Sequence, residues 1–76
     1  MKDLIVFLVK ALVDEPDQVS VTEIPGDEAT TYEVRVAADD LGKVIGKQGR
    51  IANALRTVVK AVAMKDKHKV YLEIIA

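Results

Sequence analysis

The chain has 76 residues, no cysteine and one histidine, His68. This excludes a disulfide framework and thiolate metal sites, and leaves His-based metal clusters or His-centred triads little to work with. The formal net charge of −1 hides two opposed halves: residues 1–40 hold three Lys or Arg against ten acids, a net of −7, and residues 41–76 hold eight against two, a net of +6.

Half of the residues are hydrophobic and only 4% are aromatic, so one small domain over residues 1–76 with an aliphatic core is expected. The apolar run from Leu4 to Val9 stops at Lys10. It is too short for a secretory signal and far below the roughly 20 apolar residues of a membrane span. The expectation is a soluble, cytoplasmic protein without cofactor, metal or small-molecule substrate.

Asp3 is placed to N-cap a first helix reaching about Val13, with Leu4, Phe7, Leu8, Ala11 and Leu12 at helical spacing. The β-branched Ile5, Val6, Val9 and Val13 also suit a strand, and the length of the segment decides for a helix. Pro16 ends it, because proline cannot continue a helix and biases the residue before it away from helical torsions. A hairpin follows. Val19, Val21 and Ile24 mark its first strand, and Pro25-Gly26-Asp27-Glu28 supplies the turn. Tyr32, Val34 and Val36 alternate with Thr31, Glu33 and Arg35, the pattern of a strand with one buried face.

Asp39 or Asp40 is a candidate cap for a short helix reaching Ile45. A longer helix is predicted from about Arg50 to Met64, and a last strand from Lys69 to Ile75 with Val70, Leu72 and Ile74 on one face. The order is α-β-β-α-α-β.

Between the last two helices lies Val44-Ile45-Gly46-Lys47-Gln48-Gly49-Arg50. Glycine is placed where the backbone needs positive φ or a close approach. A cationic, polar pair between two glycines, directly before a helix, is suited to seating a phosphate. The basic half of the chain carries this loop, and local charge matters more than the total in steering a polyanion.

The combination of a strand, a short helix, V-I-G-x-x-G, a longer helix and a final strand resembles the KH core, whose GXXG loop clamps a nucleic-acid backbone. With Ile45 before the loop, Lys47 within it, Arg50 after it and the helix and strand in front, the whole chain resembles a single type II KH domain. Its class is α+β, with a three-stranded sheet covered by helices on one face. Length and N-terminal sequence look most like the KhpA family of stand-alone bacterial KH proteins.

That resemblance implies single-stranded RNA binding and an RNA-chaperone role. It also implies pairing with a KhpB-like KH protein and a link to cell-wall homeostasis and cell elongation. The implied RNA-binding set is Val44, Ile45, Gly46, Lys47, Gln48, Gly49 and Arg50, flanked by Lys43 and Asn53. One groove wall would be Val44, Ile45 and the start of the following helix. The other would be the last strand and the basic loop Lys65-Asp66-Lys67-His68-Lys69. Lys43, Arg56 and Lys60 suit either phosphate contacts or ordinary solvated helix charges.

The helix from Arg50 carries two apolar stripes: Ile51, Leu55, Val58 and Val62, and Ala52, Val59 and Ala63. A helix packed on one sheet needs only one. The second set, Ala52, Val59 and Ala63, is therefore a candidate interface for a homodimer or a KhpB-like heterodimer. Two other readings compete with RNA binding. One is a helix-turn-helix DNA reader, weakened by apolar residues where base-reading side chains belong. The other is an assembly module whose loop is only a turn. No nucleophile–base pair suggests an enzyme.

Overall fold

The structure, a computed structural model, describes residues 1–65 and 69–75. Helix α1 (Lys2–Lys10) leads through a short 3-10 turn at Pro16–Gln18 into strands β1 (Ser20–Pro25) and β2 (Ala29–Arg35). A second 3-10 turn, Ala38–Asp40, enters helix α2 (Leu41–Ile45). The turn Lys47–Gly49 then joins α2 to helix α3 (Arg50–Lys65), and β3 (Lys69–Ile75) closes the chain. This is the type II KH order expected from the sequence. No helix among the described residues is long and apolar enough to cross a membrane.

The sheet order is β1-β2-β3. The hairpin makes β1 antiparallel to β2, with Val21 opposite Val34 and Ile24 opposite Thr31. Strand β3 returns parallel to β2, with Leu72 opposite Tyr32 and Ile74 opposite Val34. The connection between these parallel strands consists of α2 and α3, as a parallel pair requires a long crossover. Alternation does what it predicted. Thr30, Tyr32 and Val34 of β2, then Val36, point inward, as do Val70 and Leu72 of β3. The apolar members of this set form one core with Ile5 and Val9 of α1, Val44 of α2 and Leu55, Val59 and Ala63 of α3, so all three helices cover the same face. The Tyr32 hydroxyl donates to the Glu23 carboxylate at 3.1 Å. Burial first, and then that bond and the charge of Glu23, push the phenol above its usual pKa and keep it a neutral donor.

Three sequence expectations change. Helix α1 starts two residues earlier, with Met1 and not Asp3 at the N-cap position, and ends at Lys10, short of Val13. Asp3 lies in its first turn, where its charge complements the helix dipole, and makes no capping bond. The Leu12 N–H bonds to the Val9 carbonyl, three residues back, and this tightening ends the helix. The buried face of α1 is also turned from the predicted one. Ile5 and Val9 are enclosed, whereas Phe7 is 70% exposed.

The third change is in α3. Ala52, Leu55, Val59 and Ala63 are its buried residues, at the i, i+3, i+7, i+11 spacing of one helix face. Ala52, Val59 and Ala63, the candidate dimer interface, are thus committed to the chain's own core. The exposed apolar side is instead Ala54, Val58, Ala61 and Val62.

Val59 is 1% exposed. A carboxylate there would be a buried, unpartnered charge costing several kcal/mol, against a total stability of about 4–11 kcal/mol for a domain this small. Val59→Asp is therefore expected to abolish the cooperative urea transition and the native far-UV circular dichroism. A surface position would keep both.

Candidate nucleic-acid interface

The turn between α2 and α3 is made by backbone torsions that ordinary residues avoid. The Gly46 N–H closes α2 by bonding to the Gly42 carbonyl at 2.8 Å, and Gly46 then adopts φ 77° and ψ 174°. Gln48 follows at φ 59° and ψ 27°, the single non-glycine residue with positive φ among those described, and Gly49 at φ 75°. The Gly49 N–H bonds to the Gly46 carbonyl at 3.2 Å. The Arg50 N–H bonds to the Lys47 carbonyl, where α3 begins.

The two glycines are required for different reasons. A Cβ on Gly46 would lie 2.6 Å from Ile51 Cγ1 and 2.9 Å from the Ile51 backbone nitrogen, so the first turn of α3 fills that space. A Cβ on Gly49 would meet nothing nearer than Asn53 Nδ2 at 3.9 Å, so that side of the loop is open to an incoming ligand.

Lys47, Gln48 and Arg50 are all exposed. Neither Lys47 nor Arg50 forms an ion pair among the described residues. They stand at the N-terminus of a 16-residue helix, whose first N–H groups lack intrahelical acceptors and whose dipole favours an anion. Asn53 is exposed one turn further on. Its side-chain oxygen accepts from Arg56 Nη1 at 3.3 Å.

Two members of the expected set are placed otherwise. Val44 is 0% exposed and belongs to the core, so Ile45, half-buried, is left as the apolar residue beside the loop. Lys43 pairs with Asp14, and its ammonium lies 3.7 Å from Asp40 Oδ1. Its charge is answered on the acidic side of the molecule and is not directed to a phosphate.

Asp40 itself is not the side-chain cap that the sequence suggested. It occupies the N-cap position of α2 without a capping bond. Its two oxygens accept instead the backbone N–H groups of Asp14, at 3.2 Å, and Glu15, at 3.0 Å. The available signal was its position four residues before Val44, on the same helical face as a buried residue.

A second feature lies along the seam between α3 and β3. A groove of about 290 Å³ is lined by Arg56 and Lys60 on one side and by Val70 to Glu73 on the other. It continues past Lys60 and Tyr71 into a second groove, of about 300 Å³, that reaches Met64 and Lys69. Strand β3 is an edge strand, and Arg56 Nε donates to its Leu72 carbonyl at 3.3 Å. Arg56 thus ties helix to strand and places a cation in the seam. The central residues of the basic loop expected to extend this wall, Asp66, Lys67 and His68, lie outside the described residues.

Comparison with known proteins identifies the family. The profile of the family described as "KhpA/KhpB, KH domain" matches residues 2–74. The chain belongs to the KhpA/KhpB KH-domain family. Among its relatives, a protein of Clostridium perfringens named "RNA-binding protein KhpA" is 55% identical over 75 residues, covering 99% of this chain and all of the relative. Proteins of the same name from Caldanaerobacter subterraneus and Listeria monocytogenes are 56% and 51% identical over 75 residues, again spanning 99% of this chain and 100% and 99% of their own. No solved structure gives a significant match.

The torsions of the loop predict an order of sensitivity. Gly46→Ala forces an alanine into a region that is essentially glycine-only and into contact with Ile51, at a cost of about 3 kcal/mol or more. Gly49→Ala meets only the positive φ, at about 1 kcal/mol. Urea unfolding of the two variants is expected to show that separation.

Proposed function

We propose that the chain binds single-stranded RNA, seating a phosphate on the Gly46–Arg50 loop and the adjoining bases along the α3–β3 seam. The observation that carries this reading is the positive-φ turn that holds exposed Lys47 and Gln48 at the start of α3, with Arg50 beside them. Membership of a family whose relatives are named RNA-binding proteins supports it. The open side of Gly49 gives the ligand backbone room, and Arg56 and Lys60 continue the positive charge along the seam. Bases would meet few aromatic platforms, since Phe7, Tyr32 and Tyr71 are the only aromatic residues and Tyr32 is buried. Phosphate contacts and backbone hydrogen bonds therefore supply most of the affinity.

With about three phosphates neutralised, one copy binds in roughly the micromolar range or more weakly. It loses about 20-fold in affinity between 50 and 200 mM salt. Useful affinity then calls for a second module, through effective concentration. The same family membership supports an RNA-chaperone role in the cytoplasm beside a KhpB-like partner, in cell-wall homeostasis and elongation.

The test is a titration of a labelled, unstructured RNA at two salt concentrations with wild-type protein and with Lys47→Asp/Gln48→Asp. Both sites are exposed, so the variant is expected to keep its circular dichroism and to lose at least tenfold in affinity. Unchanged binding would sink the loop as the RNA clamp. Tighter binding of duplex DNA would favour the helix-turn-helix reading.

A specific observation favours assembly as a second property. Leu8 of α1, Ala11 and Leu12 just beyond its end, and Ile51, Ala54, Leu55 and Val58 of α3 line an apolar groove of about 280 Å³. Phe7 and Val62 are exposed as well. A second copy or a KhpB-like KH domain would bury this side, which adjoins the RNA loop through Ile51. Val58→Asp is expected to keep the fold and to lower the sedimentation-derived mass of any dimer to that of a monomer. A wild-type chain that is monomeric at every concentration would remove homodimerisation.

A further inference from the structure

The loop is carried by a helix too short to hold itself. α2 has five residues, and an isolated helix of that length does not form in water. Three contacts fix it in place. Val44 is sealed in the core. Gly46 is pressed against Ile51, with no room for a Cβ. At the opposite end stands Asp40.

The surroundings of Asp40 are unusual for a residue at a helix start. It is a carboxylate only 2% exposed, and it does not cap its own helix. Its oxygens accept the N–H groups of two successive residues, Asp14 and Glu15, from the connection that follows α1. Lys43, one turn into α2, lies 3.7 Å from Asp40 Oδ1 and also bonds to the Asp14 side chain. The start of α2 is thereby tied twice to a segment 25 to 29 residues earlier in the chain.

We propose that Asp40 is a positioning residue for RNA binding. It clamps α2 to the Asp14–Glu15 connection and so sets the orientation in which the Gly46–Arg50 turn meets a phosphate. This inference rests on the proposed RNA-binding role of that turn. The physical argument is one of leverage. Asp40 and Gly46 stand at the two ends of α2, about 9 Å apart at 1.5 Å per residue. The closed contact of Gly46 with Ile51 means that a shift of α2 is passed to the turn and is not absorbed by it. Charged hydrogen bonds to two adjacent N–H groups define a direction as well as a position.

The experiment uses Asp40→Asn, which keeps one acceptor oxygen but presents an amide donor to the second N–H, and Asp40→Ala, which removes both acceptors. Ile5→Val, a core change in α1 away from α2, controls for general loss of stability. Two quantities are read at temperatures where every variant is folded: affinity for an unstructured RNA, and the backbone amide resonances of Gly46, Lys47, Gln48 and Gly49 in the free protein.

We expect Asp40→Asn to weaken RNA binding about fivefold and to move the loop resonances, with a larger effect from Asp40→Ala if that variant folds. Ile5→Val is expected to leave both unchanged. If Asp40→Asn lowers only the melting temperature, with loop resonances and affinity like those of Ile5→Val, Asp40 is a stabiliser alone and the proposal is overturned. If the wild-type protein binds no RNA, the RNA-binding reading fails by itself. The loop resonances then decide whether Asp40 orients the turn: unmoved resonances overturn the clamp, and moved ones uphold it.

Discussion

The absent side chain of Gly46 is the constraint on which the rest of the surface depends. Ile51 occupies the space where a Cβ would stand, and this contact brings the start of α3 against the end of α2. With φ at 77°, 59° and 75° at residues 46, 48 and 49, the chain turns from one helix into the next within three residues. The turn leaves Lys47 and Gln48 at its apex, because the torsions on either side point the backbone outward there. A gentler connection would have room for a side chain at residue 46, but it would separate the cations from the helix N-terminus they reinforce.

The two halves of the charge distribution meet at one place in the fold. Lys43 belongs to the basic half by sequence, yet it is neutralised by Asp14 and Asp40 of the acidic half. Among the described residues, the cations without an ion pair around the loop are Lys47 and Arg50, with Arg56 and Lys60 further along the seam. The basic surface is therefore narrower than the count of cations implies. It is directed along α3 and β3, away from the acidic connections near α1. A polyanion approaching this molecule meets attraction on one side and repulsion on the other, which sets its direction of approach as well as its affinity.

The strands were legible because alternation along a sheet is local and its period is unambiguous. Val34 and Leu72 face inward for the same reason that Glu33 and Glu73 face outward. The turn was legible because few residues other than glycine tolerate its torsions. The facing of the helices was harder to read. In α1 and in α3 two neighbouring stripes are both apolar, and a rotation of about 100° separates one residue's direction from the next. Composition does not distinguish Val58 from Val59, and it is the floor of the sheet beneath α3 that selects Val59. Lys43 and Val44 sit next to the glycine loop in sequence, which drew both into the expected binding set. In space one faces Asp14 and the other faces the core.

The sequence alone determined the element order, the inward faces of the strands, the glycine turn and its cationic apex. All of these follow from short-range periodicity and from torsions that only certain residues accept. Tertiary structure decided which stripe of α3 became core, which apolar side was left bare, and that Asp40 reaches back to Asp14 and Glu15. Those outcomes depend on packing between separate segments, 16 residues apart from Arg56 to Leu72 across the α3–β3 seam and 25 and 26 apart from Asp40 to its two partners, where no local pattern marks one partner for the other. A buried carboxylate must find donors wherever the fold places them, and only the assembled fold supplies two N–H groups at that point.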